Sequence, residues 1–338
     1  MQAQAAQKPN GSRLKQIVKQ RLRVPLRVLI FGAEGTGKST LASGAPAPLW
    51  FDVEDGSAHL EVARYPFRDG PGGHVPHGYQ EILAAIDDLA THDHGYQTLV
   101  IDTLDRLEAL MWQWMIQRDA PSSKVKLTGI ESYGYGRGYV AAVDEWRSLC
   151  LKLDRLRMAK GMSIVMLAHA QIRPFKNPLG DDFDRYNLRL NDKGAGFLKE
   201  WSDITGFACF EEGAASLGGE RARGVSTGRR LLKLERTAAY DAKSRYALPA
   251  EVELNISNPW APLADAIESA LGMSSDVLTA AIAAECARIG DAETTAKVAK
   301  VVEEATKKND TNALHRYLVG LKNRPAANTN QSKEETAP

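Results

Sequence analysis

The run Leu26-Arg27-Val28-Leu29-Ile30-Phe31 passes directly into Gly32-Ala33-Glu34-Gly35-Thr36-Gly37-Lys38-Ser39-Thr40, and most of the architecture can be read outward from this junction. An apolar, β-branched run reads as a strand, and Gly32 to Ser39 fits G-x-x-x-x-G-K-[ST], the pattern of a loop that cradles phosphates. Glycines let the backbone wrap close to an anion, so that successive N–H groups face it. Lys38 would reach the terminal phosphates as a point charge, and the Ser39 hydroxyl would serve Mg²⁺.

Further strands are expected at Leu49 to Val53, Thr98 to Ile101 and Ser163 to Ala168, each apolar throughout, as strands covered on both faces must be. Between them Ile82, Ile86 and Leu89 keep one helical stripe. Leu104, Leu107, Met111 and Trp114 keep a second, and Tyr139, Val143, Trp146, Leu149, Leu153 and Leu156 a third. Strands alternating with helices imply an α/β fold with a mostly parallel central sheet and right-handed crossovers. Gln171 to Asp192 reads as an irregular polar stretch, followed by a helix ending near Trp201. Runs at Ile204 to Phe210 and Arg230 to Arg236 are expected to extend the sheet antiparallel at one edge. Beyond a turn at Ser257 to Pro262, Ala-, Glu- and Lys-rich sequence with helical period suggests a small C-terminal helical appendix. A short amphipathic helix is expected after Ser12, with Leu14, Ile17 and Val18 on one face.

Composition excludes several classes. With 43 basic and 42 acidic residues the formal net charge is +1, so no global basic field points to nucleic acid or to an anionic membrane, and any such contact must be local. The three cysteines, Cys150, Cys209 and Cys286, have no C-x-x-C spacing and read as reduced, buried thiols. No apolar run approaches the ~18 residues needed to span a bilayer, and the polar N-terminal stretch lacks a signal pattern, so a cytoplasmic location is expected. His74, His77, His92 and His94 fall in Gly/Pro loops or at a helix end without a clear partner set, which argues against zinc.

Around the phosphate loop, Leu99-Val100-Ile101-Asp102 is a strand ending in an acid, the form that holds Mg²⁺ through its water. The strand Leu49 to Val53 carries Asp52 and Glu54 at the edge where ligands of open α/β sheets sit. Glu54 has the longer reach and is read as the general base, with Asp52 in support. His169, closing the run Ser163 to Ala168, is placed to sense a terminal phosphate; Gln171 is its alternative.

This order of parts resembles the RecA-type ATPase core, and among such proteins the compact RecA-like ATP-binding proteins of bacteriophages that act in single-strand annealing or recombination. Phe51-Asp52-Val53-Glu54-Asp55-Gly56, Tyr133-Gly134-Tyr135-Gly136-Arg137-Gly138-Tyr139 and Ala242-Lys243-Ser244-Arg245-Tyr246-Ala247-Leu248-Pro249 are its more specific marks. The resemblance runs from about Arg23 to Asn255 and implies ATP and Mg²⁺ as cofactors; with the patterning above it divides the chain into a tail and short helix over 1–22, a RecA-like P-loop core over 23–258, helices over 259–322 and a disordered tail over 323–338. It implies two loops facing single-stranded DNA, Asp119 to Gly138 with Tyr133, Tyr135 and Arg137, and Gln171 to Asp192 with Arg173 and Lys176. It also implies self-association into a filament or ring, in which Lys243 and Arg245 reach a neighbour's γ-phosphate, and a single-strand-binding protein as a further partner. A hexameric helicase or helicase loader, and a nucleotide-gated interaction protein without DNA, are the alternatives on the same core.

Overall fold

A computed structural model describes residues 17, 24–178, 180–215, 223–271 and 275–307, together with 314, 317, 318, 320 and 321. The expected N-terminal helix, apart from an exposed Ile17, and the expected C-terminal tail lie outside these residues.

In chain order the elements are β1 (Arg27–Gly32), α1 (Lys38–Ser43), β2 (Pro48–Asp52), β3 (Ala63–Arg64), α2 (Tyr79–Thr91), β4 (Thr98–Asp102), α3 (Leu104–Asp119), α4 (Arg137–Lys160), β5 (Ser163–Phe175), β6 (Phe183–Leu188), α5 (Asp192–Trp201), β7 (Ile204–Ala215), β8 (Arg223–Lys233), β9 (Lys243–Ser244), β10 (Glu251–Glu253), α6 (Ala261–Leu271), α7 (Ser275–Ile289) and α8 (Ala292–Lys307). The sheet runs β10-β8-β7-β1-β5-β4-β2-β3, with β6 on β5 and β9 on β7.

Alternation along the central strands builds two cores at once. Leu29 and Phe31 join Phe51, Leu99, Ile101, Ile164 and Met166 under α2, α3, α4 and α5. Val28 and Ile30 face the other way with Trp50, Val100, Val165 and Leu167, under α1 and α6. A strand read as continuously apolar is therefore two half-strands, one for each face.

Two expectations need correction. β7 pairs parallel with β1, in the register Val28 with Ile204 through Gly32 with Ala208, and the antiparallel edge begins where β8 pairs with β7. A bidentate ion pair from Arg27 to Asp203, 2.7 Å at its shorter contact, fixes the start of both parallel strands. The stretch Gln171 to Asp192, read as irregular, contains a β-hairpin: β5 runs on to Phe175 and pairs antiparallel with β6, Ala170 opposite Leu188 and Phe175 opposite Phe183. Its Ile172 is exposed, because the arm projects beyond the helices that cover the sheet. α6 packs Leu263 and Ile267 into the second face of the sheet, whereas Leu278, Ile282, Cys286, Val298, Leu314 and Leu318 form a separate cluster.

Candidate functional site

The carboxyl ends of β1, β2, β4 and β5 converge on one edge, beside the point where the chain leaves β1 and returns far along the sheet at β2. Gly32 is required by packing, since a Cβ there would stand 2.2 Å from the Ala208 carbonyl oxygen, and Gly37 by its backbone, at φ +88°. The loop closes around Lys38, whose buried Nζ donates to the carbonyl oxygens of Gly32 (3.0 Å) and Ala33 (2.9 Å). Thr36 Oγ1 donates to the same Ala33 oxygen at 2.8 Å. Burial lowers the Lys38 pKa, opposed by the charges of Asp102, Asp105, Glu54 and Glu34. A cation in that state, beside a cleft of about 510 Å³ lined by Gly35, Gly37, Ser39 and Thr40, is suited to a polyphosphate.

Ser39 Oγ donates to Asp102 Oδ2 at 2.8 Å. Burial, reinforced by the nearby charges of Asp52 and Glu54, pushes the Asp102 carboxyl up to about 6, against the hydrogen bond from Ser39 and the charge of Lys38. A desolvated carboxylate beside a hydroxyl is a hard-oxygen pair whose charge a divalent cation would relieve, so these residues fit Mg²⁺.

The loop after β2 is tied to the same spot. Val53 N and Glu54 N both donate to the Asp102 carbonyl oxygen, at 2.7 and 3.2 Å, carrying the β2–β4 alignment past the strand end. Thr103 Oγ1 donates to Glu54 Oε2 at 2.7 Å, and that oxygen lies 4.0 Å from His169 Nδ1. Asp52 plays a different part. It is buried, accepts from Gly56 N (3.0 Å), Ser57 N (3.2 Å) and the Ser57 hydroxyl, and faces Arg64 at 3.8 Å. Its carboxylate shapes the loop that presents Glu54.

His169 enters a network the sequence does not announce. Asp105 Oδ2 accepts from His169 N at 2.9 Å and lies 3.2 Å from Nδ1, while Arg189 donates from Nε to Asp105 Oδ1 at 3.0 Å. An Arg189 amino group stands 3.0 Å from the same Nδ1, and another 3.9 Å from Glu34 in the phosphate loop. Burial alone would raise the Asp105 pKa, but the bonds from His169 and Arg189 outweigh it and hold the group below the ordinary carboxylate range. Asp105 lies in the first turn of α3, three residues past Asp102, and no sequence pattern marks it as this partner.

The other expected residues lie elsewhere. Lys243 Nζ donates to the carbonyl oxygens of Lys199 (2.9 Å), Glu200 (3.0 Å) and Ser202 (3.1 Å), and Arg245 to Glu200 O at 2.8 Å. These bonds cover carbonyls left open at the end of α5. β9 pairs with Ile204 and Thr205, the opposite end of β7 from Ala208, so neither side chain is brought to this chain's own cleft. In the first loop Tyr133 donates to Asp119 Oδ2 at 2.8 Å and packs on the core, whereas Tyr135 is fully exposed, with the Arg137 guanidinium 6.0 Å from its ring centre. Arg173 pairs with Asp192, and Lys176 is exposed on the hairpin arm. Three residues lining the cleft carry no sequence signal of such a place: Thr103, His59 and Arg230 of β8.

No helix among the described residues is long and apolar enough to cross a membrane. No curated protein matches this sequence. A family model described as AAA domain matches residues 24–246, from just before β1 to just past β9, and so takes in the phosphate loop, Glu54, Asp102 and His169. On that match, which spans most of the chain, the protein belongs to the AAA domain family of P-loop ATPases.

Proposed function

We propose that the protein is a Mg²⁺-dependent ATPase that uses Glu54 to activate water and that assembles on single-stranded DNA in phage-type recombination or annealing. One observation carries the hydrolytic part. The Glu54 carboxylate, held by Thr103 and 4.0 Å from His169, opens on the same cleft as Lys38 and the Ser39–Asp102 pair. Water attacking the γ-phosphorus would pass a proton to Glu54 as the bond to the ADP oxygen breaks. Lys38 would exchange its two carbonyl partners for phosphate oxygens, and its charge would offset what develops on them. Ser39 and Asp102 would hold Mg²⁺, which when bound would supply Lewis-acid neutralisation of the phosphates.

His169 and Arg189 would report the γ-phosphate to the hairpin, because β5 is one strand from the cleft to Phe175. An exposed Tyr135 with Arg137 beside it suits stacking on unpaired bases, and Lys176 on the arm suits their phosphates. Lys243 and Arg245 could act on a neighbouring protomer's nucleotide only by releasing the end of α5.

The test is phosphate release from Mg·ATP with and without single-stranded DNA, beside DNA-binding anisotropy. The expected result is slow basal turnover, stimulated by single-stranded DNA, with DNA affinity that falls steeply with salt. Turnover without DNA retention at low salt would instead favour a nucleotide-gated interaction protein, and directional unwinding of a forked duplex a helicase.

A further inference from the structure

β1 has a neighbour on each side. β5 brings His169, and beyond it β4 and β2 bring Asp102 and Glu54, so the acid suited to Mg²⁺ and the groups suited to the attacking water stand on that flank. On the other flank β7 and then β8 rise past the phosphate loop. Gly32 is level with Ala208, Ala208 with Leu232, and Arg230 opposite Phe210 therefore sits beyond the end of β1.

Arg230 leans over the loop from there. Its Cδ and Nε lie 3.1 and 3.6 Å from where a Cβ on Gly37 would stand, so the glycine admits the arginine stem as well as the left-handed backbone. The guanidinium carbon is 5.4 Å from the Phe210 ring centre, and the backbone beneath it is held by Leu254 N, which donates to the Arg230 carbonyl oxygen at 2.8 Å. Its Nε is buried and has no hydrogen-bond partner among the described residues. The neighbouring Arg229 is engaged with Glu211 and Glu253. A buried donor without an acceptor is costly unless a ligand supplies one. Arg230 also lines a second hollow with Leu254, Ile256 and Pro262, so it stands at the junction of that hollow and the phosphate cleft.

We propose that Arg230 is a nucleotide-binding residue that clamps the α- and β-phosphates from the β8 side, opposite the catalytic flank, within the same polypeptide. The assignment rests on the cleft being a nucleotide site. Because the γ-phosphate belongs to the Glu54 and His169 flank, a cation on the far flank meets the part of the chain that ADP and ATP share. A guanidinium fork matches two phosphate oxygens where a single ammonium could not.

Calorimetric titration of ADP and of a non-hydrolysable ATP analogue into wild type and Arg230→Gln tests this, with unliganded melting followed in parallel. Glutamine keeps most of the stem over Gly37 and removes the charge. The expected result is a loss of about tenfold or more for both ligands, to a similar factor, with unliganded melting no lower than that of wild type and only partial recovery in Arg230→Lys. A loss confined to the ATP analogue, or no loss for either, overturns the assignment. If Arg230→Gln does not fold, modification of wild type by an arginine-directed dicarbonyl reagent decides the matter. ADP and pyrophosphate should protect Arg230 while adenosine does not, and equal labelling in all three overturns the proposal. Wild type that binds neither nucleotide would remove the nucleotide site and this residue's role together, whereas binding intact in wild type and in Arg230→Gln removes only the latter.

Discussion

The phosphate cleft and the two segments proposed to meet single-stranded DNA are built on opposite plans. In the cleft, groups from β1, β2, β4 and β5 converge, and each is fixed by residues distant in sequence: Ser39 by Asp102, Glu54 by Thr103, His169 by Asp105. In the outer segments the side chains lie in solvent or are satisfied locally, Arg173 by Asp192 and Tyr133 by Asp119. Groups held by a packed sheet keep one geometry and can perform chemistry, while exposed groups on an arm can adapt to a flexible polymer. Substitutions in the cleft should therefore act as switches, and those on the arms as graded losses.

Lys38→Ala should show the largest effect. It removes the only cation inside the loop and should abolish Mg·ATP binding in a calorimetric titration; wild-type affinity would break the comparison at its strongest point.

Asp102→Asn should give a split result. Because burial raises the folded pKa to about 6, the folded protein holds a proton on Asp102 that the unfolded chain releases nearer 4. This contribution to stability is full below about pH 4, is lost as pH rises through about 6, and is absent above. The asparagine variant, spared that charge, should be more stable without ligands at pH 8 than wild type, by on the order of 2 kcal/mol. It should also lose the stabilisation that Mg·ATP confers on wild type. Thermal melts from pH 4 to pH 8, with and without Mg·ATP, would show both, and parallel pH profiles for the two proteins would contradict the assignment.

Smallest is the effect expected in the loop before α4. Tyr135→Ala with Arg137→Ala should weaken single-stranded DNA binding by about 1–3 kcal/mol, the worth of one stacked base, while nucleotide binding stays as in wild type. Tyr133→Phe should leave DNA affinity unchanged, since that hydroxyl serves Asp119. Anisotropy at low salt separates them, and an equal loss from both would mean that the whole loop, and not its exposed tip, makes the contact.

What could be read from the sequence follows the same division. Gly32 to Ser39, Asp102 and the apolar strands are legible because each rests on a local pattern of loop or buried strand, and the place of Glu54 follows from the strand it succeeds. The parallel pairing of β7 was not, because Ile204 to Phe210 is equally apolar in either direction and only the Arg27–Asp203 pair reveals its alignment with β1. The β5–β6 hairpin was missed because an arm beyond the helices needs no apolar face, and an exposed Ile172 and Pro174 break the alternation by which strands are recognised. Asp105, Arg189 and Arg230 carry no signature of their own, since what gives them a role is a neighbour brought by the fold.

The central claim, that Glu54 activates water in a cleft that binds ATP by other means, is tested most directly by one pairing of readouts on Glu54→Gln. The amide keeps the size of the side chain and can still meet Thr103, but it cannot take the proton. Affinity for Mg·ATP should stay near that of wild type while the single-turnover rate of phosphate release falls by roughly 10²-fold or more. Phosphate release at the wild-type rate, or a loss of affinity as large as the loss of rate, would contradict it.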